Sequence, residues 1–479
     1  MNHKKVFYTL GQLLVLEAVL LLLPALVALI YKEKTGIHFL VTAIVAAIIG
    51  GVLLIVCRKK SNVIYAKEGF AIVALSWVVL SAIGALPFFL SHEIPSYVDA
   101  FFETVSGFTT TGASILTDVE ALSHGMLFWR SFTHWIGGMG VIVFIMAIIP
   151  SVSDRSIHIM RAEVAGPIVG KLVPRAKDTA RVLYLIYLGL SAIQVVMLFL
   201  GGMPFFDSLL HTFGTAGTGG FGIKADSVAG YSPYCQWVIA VFMILFGLNF
   251  NLYYLILIRR FKAVLKNAEL WIYLGIVAVS VTVIGFNVYS IYGNVADTAR
   301  ASAFQVASVI STTGFSTANF DMWPGLSKAI LLILMFFGSC AGSTAGGLKI
   351  SRIILLVKMF RNELRHLIAP KSVNSVKLDG KQVDASVLKN AGNYFGLYVF
   401  LLGAFFLLLS FEPFSMETNF TAAVACFNNI GPGFDAVGPA ESFALYSPFS
   451  KIILSFAMLL GRLELFPMIL LFSPRLWKK

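Results

Sequence analysis

Ser311-Thr312-Thr313-Gly314-Phe315 has three counterparts in the same chain. Aligned on the glycine, they are Thr109-Thr110-Thr111-Gly112-Ala113, Gly217-Thr218-Gly219-Gly220-Phe221 and Asn428-Asn429-Ile430-Gly431-Pro432. Six positions before each glycine stands a small residue, Ser106, Gly214, Ser308 or Ala425, of the kind that lets a short helix pack tightly. Each glycine belongs to a unit of span, half-length helix, glycine-centred loop and span, and the unit occurs four times. Non-helical backbone at membrane depth is tolerated only where it is buried in protein or lines a watery cavity. Four such loops in one chain imply a shared central cavity.

The surroundings of these loops are those of a membrane protein. Of 479 residues, 58% are hydrophobic and 13% charged, with a mean hydropathy of +0.84, well away from the roughly 25% charged residues of soluble domains. About ten runs are long and apolar enough to cross a bilayer, which takes roughly 20 residues per helix. They lie near residues 6–31, 37–57, 69–92, 125–150, 181–202, 233–258, 268–293, 326–360, 389–411 and 445–472. The first run is too long for a signal-peptide core and no small-residue cleavage site follows it, so it reads as a retained span.

Lys and Arg outnumber Asp and Glu by 36 to 24, and they fall on alternating connections. The basic groups are Lys4 and Lys5, Arg58 through Lys67, Arg155 through Arg181, Arg259 through Lys266, Lys349 through Lys389, and Arg475 to Lys479; no Lys or Arg lies between His92 and Phe128 or between Phe411 and Ser450. The positive-inside bias makes the basic connections cytoplasmic and puts both termini inside. Topology thus accounts for most of the net charge of +12, and a nucleic-acid partner loses its support. Cys57, Cys235, Cys340 and Cys426 are far apart with no CxxC pair, which suggests neither a disulfide framework nor a zinc site.

Glycine allows backbone angles that aim consecutive carbonyls inward, and rings of carbonyls that replace a hydration shell are how potassium filters work. The loops are degenerate relatives of the T-V-G-Y-G filter, most clearly at Thr312-Thr313-Gly314-Phe315. The expected ion-binding positions are Thr110, Thr111 and Gly112; Thr218, Gly219 and Gly220; Thr312, Thr313 and Gly314; and Asn429, Ile430 and Gly431.

Together with Trp135-Ile136-Gly137-Gly138-Met139-Gly140 and Gly461-Arg462-Leu463-Glu464, the four loops resemble the TrkH/KtrB family of potassium-translocating subunits over nearly the whole chain. The two leading helices and the length point to the TrkH branch. The resemblance implies an all-α membrane protein with two leading transmembrane helices (1–68) and four helix, pore-helix, filter-loop, helix repeats in a pseudo-fourfold arrangement around a central pore. The repeats would occupy 69–180, 181–267, 268–388 and 389–479. It further implies potassium uptake across a bacterial cytoplasmic (inner) membrane, with K+ as the transported ion and no cofactor in this chain. A homodimer would sit on a cytosolic, TrkA-like regulatory subunit, the only component expected to bind nucleotide (NAD(H), ATP or ADP). The fourth loop departs from the pattern by supplying no threonine before its glycine, which argues for looser selectivity than a tetrameric channel has.

Other motifs have competing readings. Gly217 to Gly222 satisfies G-x-G-x-x-G, but the strand, helix and acidic residue of a dinucleotide site do not surround it. Gly342 to Lys349 approaches a phosphate-binding loop, with Leu348 where the lysine belongs. Gly338-Ser339-Cys340-Ala341-Gly342-Ser343-Thr344-Ala345-Gly346-Gly347 interrupts the span 326–360. Gly342 and Gly346 match a G-x-x-x-G packing face; in the resembling family this position is instead an intramembrane loop that obstructs the pore. Gly338, Gly342, Ser343, Thr344, Gly346 and Gly347 are accordingly the expected gate, with Arg462.

A charge in mid-span costs at least about 2.5 kcal/mol, so Arg462 must face protein or water. It either pairs locally with Glu464 or a carbonyl, or opposes cations in the pore. Arg130 and His134 read as structural. Asp99, Glu103, Asp207, Asp297 and Glu417 read as caps of the short helices, with cation steering open to them as a group. The alternative to a gated pore is an ion-coupled secondary transporter, an H+ or Na+ symporter of potassium or another monovalent cation. Four parallel units and few acids in the spans weigh against it. Membrane lipid is expected around the chain, and nothing suggests an enzyme: H-E-x-x-H and G-x-S-x-G are both absent.

Overall fold

The computed structural model describes residues 1–57, 65–140, 176–370 and 375–477. Arg58, Lys59 and Lys60, residues 141–150 of the fourth expected span, the basic segment from Arg155 to Arg175, and Lys478 and Lys479 lie outside the described residues. The described residues are mostly helical, and their named strands are a hairpin of two-residue strands pairing Lys377 with Gln382 and Leu378 with Lys381.

Among the described residues six helices are long and apolar enough to cross a membrane: His3–Ile30, Gly36–Val56, Lys67–Leu90, Ala180–Leu200, Ala268–Tyr292 and Ala385–Leu409. The first two cross at a pair of glycines. A Cβ on Gly11 would lie 2.9 Å from the Gly50 carbonyl, and one on Gly50 would lie 2.8 Å from that of Gly11. Hydrocarbon solvent gives helices no hydrophobic reason to associate, so close backbone approach through small residues is what holds such a pair.

Four short helices, Tyr97–Phe108, Phe205–Gly217, Val295–Ile310 and Met416–Phe427, stand between the longer ones. Each is followed by a glycine loop and a second helix: His124–Gly138, Pro233–Phe246, Gly325–Phe336 and Pro448–Arg462. Every short helix packs on its own second helix and on the second helix of the preceding unit, and the first completes the circle against Pro448–Arg462.

Two expectations need correction. The runs 233–258 and 445–472 are not single continuous helices: Pro233–Phe246 and Phe250–Leu257 meet at a bend of 91°, and Pro448–Arg462 ends before Phe466–Leu471. Glu464 and Leu465, both at positive φ, make the second break. With the interruption after Gly325–Phe336, three of the second helices are broken instead of one, while the first, His124–Gly138, ends at Met139. The acidic residues are not the caps either. Ser96, Asn294 and Ser415 accept the first-turn N–H groups of their helices. The acids are paired instead: Asp99 with Lys451 (2.7 Å), Asp297 with Arg300 (2.6 Å) and Glu417 with Lys328 (3.0 Å). Asp207 accepts from the Tyr231 hydroxyl (2.8 Å), and Glu103 pairs with Arg130 (2.6 Å).

Candidate functional site: four glycine loops and the segment beneath them

The four loops share one backbone. The anchors Gly112, Gly220, Gly314 and Gly431 have φ of 82°, 73°, 86° and 101°. Two residues earlier, Thr110, Thr218, Thr312 and Asn429 are also left-handed, at 55°, 56°, 57° and 56°. The intervening Thr111, Gly219, Thr313 and Ile430 each donate an N–H, at 2.8 to 2.9 Å, to the carbonyl of Ser106, Gly214, Ser308 or Ala425. Those acceptors are the small residues six positions before the anchors. The bond closes a Schellman turn, in which the second residue past the helix end reaches back to the last helical turn.

Such turns ordinarily place glycine at the left-handed position, and a β-branched residue there costs roughly 1–2 kcal/mol. Threonine occupies it three times. Strain kept at equivalent positions of repeated loops marks a conformation that its surroundings enforce. Asn429, in the loop that departs from the others in sequence, takes the same angle with less cost, since asparagine visits this region more readily.

The loops meet in chain order. A Cβ on Gly112 would collide with the Gly219 carbonyl, on Gly220 with that of Thr313, on Gly314 with that of Ile430, and on Gly431 would lie 2.9 Å from that of Thr111. The ring is closed, and its four anchors line one open cleft. Hydroxyls brace it from behind: Thr109 with Thr111 at 2.8 Å, Ser311 with Thr313 at 2.6 Å. The Asn429 amide reaches both the Thr111 hydroxyl and the Met458 carbonyl at 2.9 Å.

Behind the first two loops, Arg130 is buried and fully engaged. It binds Glu103, the Gly222 carbonyl (2.7 Å) and the Ser114 hydroxyl (3.1 Å), and lies 3.6 Å from the Phe221 ring centroid. Glu103 in turn accepts from Ser114 and from the Ile115 N–H, both at 2.9 Å. His134 Nδ1 meets the Gly107 carbonyl at 2.8 Å. Both residues hold loops in place, as their structural reading expects.

The segment 338–347 lies directly under the ring. It is a non-helical loop closed by the Gly338 N–H to the Leu348 carbonyl (2.8 Å), and several bonds tie it to its surroundings. Ser339 donates to the Ile310 carbonyl (2.9 Å), Cys340 N–H to that of Gly247 (3.1 Å), and Glu269 accepts from Ala341 N–H (2.7 Å) and Ser351 N–H (3.0 Å). Gly346 touches the ring itself. Its N–H donates to the Thr312 hydroxyl at 2.7 Å, and a Cβ there would lie 2.5 Å from the Asn428 carbonyl. The Gly342 and Gly346 pair is therefore not a face for helix packing.

Arg462 joins this segment to the end of another helix, donating to the carbonyls of Thr344, Gly137 and Gly138, each at 2.6 Å. The pairing with Glu464 does not occur; Glu464 binds Arg352, 112 residues away in sequence. Sequence reasoning missed Lys349, which was grouped with the basic connection 349–389 and is in fact 1% exposed, with its Nζ on the carbonyls of Ala345 and Gly346. It also passed over Glu17, a buried carboxyl in the first helix, next to Gly84 and with no hydrogen-bond partner among the described residues. Glu17 is visible in the sequence as the single acid in the first apolar run.

A family model described as a cation transport protein, TrkH, matches residues 36–479. The chain is 37% identical to the Trk system potassium uptake protein TrkH of Escherichia coli K12 over the full length of both. It is 34% identical to TrkG of the same organism, covering 98% of this chain and 97% of that one. The crystal structure of the potassium transporter TrkH from Vibrio parahaemolyticus superposes with a TM-score of 0.89 at 32% identity, covering all of both chains. With a family match over most of its length and full-length relatives in agreement, this chain belongs to the TrkH family of cation transport proteins.

Proposed function

We propose that this protein takes up potassium across the bacterial cytoplasmic membrane through a gated, channel-like pore. The closed ring of left-handed loops carries the reading. Alternating left-handed residues at Thr110 and Gly112, and at the equivalent positions of the other loops, turn successive carbonyls to one side, which supplies the oxygen cage that replaces potassium's hydration shell. Thr110, Thr111, Gly112, Thr218, Gly219, Gly220, Thr312, Thr313, Gly314, Asn429, Ile430 and Gly431 are the proposed filter. The backbone pattern of the fourth loop supports fourfold carbonyl geometry even without its threonine. The segment 338–347 and Arg462 obstruct the path below and act as the gate. Relatives named for potassium uptake support the same ion.

Both termini face the cytoplasm in this reading, because the basic connections alternate. The protein works as a homodimer on a cytosolic, TrkA-like nucleotide-binding subunit; relatives named as parts of a Trk system support separate components.

Coupled symport is the second reading, and one observation favours it: an acid in an apolar span with no hydrogen-bond partner among the described residues, as Glu17 is, is by default a functional-site hypothesis. Reconstituted vesicles with set potassium gradient and voltage separate the two. A zero-current potential that tracks potassium alone is expected for a pore. A potential that also shifts with pH or sodium, and loses the shift in Glu17→Gln, establishes coupling.

A further inference from the structure

We propose that the carbonyls of Thr344, Ala345 and Gly346 form an inner site for a monovalent cation, which the ammonium of Lys349 fills in the obstructed arrangement. A tethered cation and a transported one then compete for the same oxygens. The inference rests on the gate reading of 338–347 and adds a ligand site to it.

Three consecutive carbonyls carry cationic donors from separate points of the chain. Arg462 donates to Thr344, and Lys349 to Ala345 and, at 3.1 Å, to Gly346. Gly346 links the site to the ring, since its N–H binds the Thr312 hydroxyl while its carbonyl binds the lysine. The ammonium therefore lies one peptide plane from the filter loops.

Lys349 is 1% exposed, and among the described residues no carboxylate lies within ion-pair distance of it. Arg462, Glu464, Arg352 and Glu269 are the charged groups whose fields reach it. Neither acid is available: Glu464 binds Arg352, and Glu269 accepts the N–H groups of Ala341 and Ser351. A buried ammonium without a counter-ion is expensive. Backbone oxygens are what solvate it here, and the same oxygens suit a dehydrated potassium ion.

Simple turn closure explains the lysine less well. Lys349 stands at the position just before Ile350–Ile368 and its side chain makes no capping bond there, and the helix dipole disfavours a positive charge at that end. Helix stability gives no reason for it.

Rubidium tests the site in proteoliposomes and in crystals. Lys349→Met is expected to raise resting Rb+ influx roughly tenfold, the shift that loss of a charge-assisted contact brings to a two-state equilibrium. Lys349→Arg, which keeps the charge, is expected below the methionine variant. Crystals of Lys349→Met soaked in Rb+ are expected to show anomalous density at the Ala345 and Gly346 carbonyls, with none there in the unaltered protein. Lys349→Gln serves if the methionine variant does not elute as a single species. Raised influx without Rb+ at those carbonyls overturns the shared site. Unchanged influx in the lysine variants while Arg462→Ala raises it overturns the role of Lys349 and leaves the gate standing. If Lys349→Met, Arg462→Ala and deletion within 338–347 all leave influx unchanged, the gate reading fails and the inference fails with it.

Discussion

At Gly112 a hydrogen is the largest substituent the ring admits, because a Cβ would run into the Gly219 carbonyl and φ is already +82°. Gly112→Ser is therefore expected to push apart the first and second loops and weaken discrimination against Na+. The reversal potential under bi-ionic K+/Na+ conditions measures it, and an unchanged permeability ratio in a folded variant would remove Gly112 from the filter. Behind the ring, Arg130 and Glu103 are buried at 3% and 1% exposure and paired at 2.6 Å. Breaking such a pair from one side leaves a lone buried charge and costs about 3–5 kcal/mol. Glu103→Ala is expected to lose stability on that scale, read as a fall in thermal midpoint in detergent. Arg130 also holds Ser114 and Gly222, each two residues past the anchor of the first or second loop, so discrimination is expected to weaken along with stability. A midpoint equal to the unaltered protein's would show that the pair is dispensable.

The elements differ in how far sequence alone discloses them. The four loops were legible because a backbone constraint repeated: a glycine where φ is positive, and a small residue at the carbonyl that closes each turn. The left-handed threonines were not, since Thr110, Thr218 and Thr312 occupy angles that threonine rarely adopts. Breaks in the second helices were only partly legible. Glycine density betrays the one at 338–347, but Phe246-Gly247-Leu248-Asn249-Phe250 and Gly461-Arg462-Leu463-Glu464-Leu465 leave the apolar run nearly intact while the chain turns. Lys349 was hidden because a buried lysine beside a basic connection looks like part of the topology signal. These breaks bring 338–347 and Arg462 together, and the prediction belongs to that contact. Arg462→Ala removes donors from the carbonyls of Thr344, Gly137 and Gly138 at once. Charge-assisted bonds are worth about 1.5–3 kcal/mol each, so the obstructed arrangement is expected to lose at least a tenfold preference. Higher resting K+ flux in vesicles is the expected readout; equal or lower flux per folded molecule counts against the gate.

Across the whole molecule, the question is how a change at the exposed surface reaches the buried segment 338–347. The helix Ile350–Ile368 follows directly on the segment 338–347, with Ile350 to Leu355 mostly buried and the stretch from Lys358 onward mostly exposed. Its buried end is anchored twice: Ser351 N–H binds Glu269, which also holds Ala341 of the segment, and Arg352 binds Glu464 and stacks 3.9 Å from the Tyr394 ring centroid. Glu464 is two residues from Arg462. Force on the exposed end therefore arrives at both halves of the proposed gate, the segment and the arginine bonded to it. Lys358, Arg361 and Arg365 offer positive charge at that end, and the bond from Lys358 to the Lys377 carbonyl is exposed, hence worth little to stability. Neutralising all three with glutamine is expected to leave folding and K+/Na+ preference intact while weakening co-purification of the regulatory subunit or abolishing the flux response to its nucleotide. Normal binding together with a normal nucleotide response in that variant would place the contact elsewhere. The helix would then remain a lever only for whatever pushes on its apolar side, where Phe360, Leu364 and Ile368 are exposed.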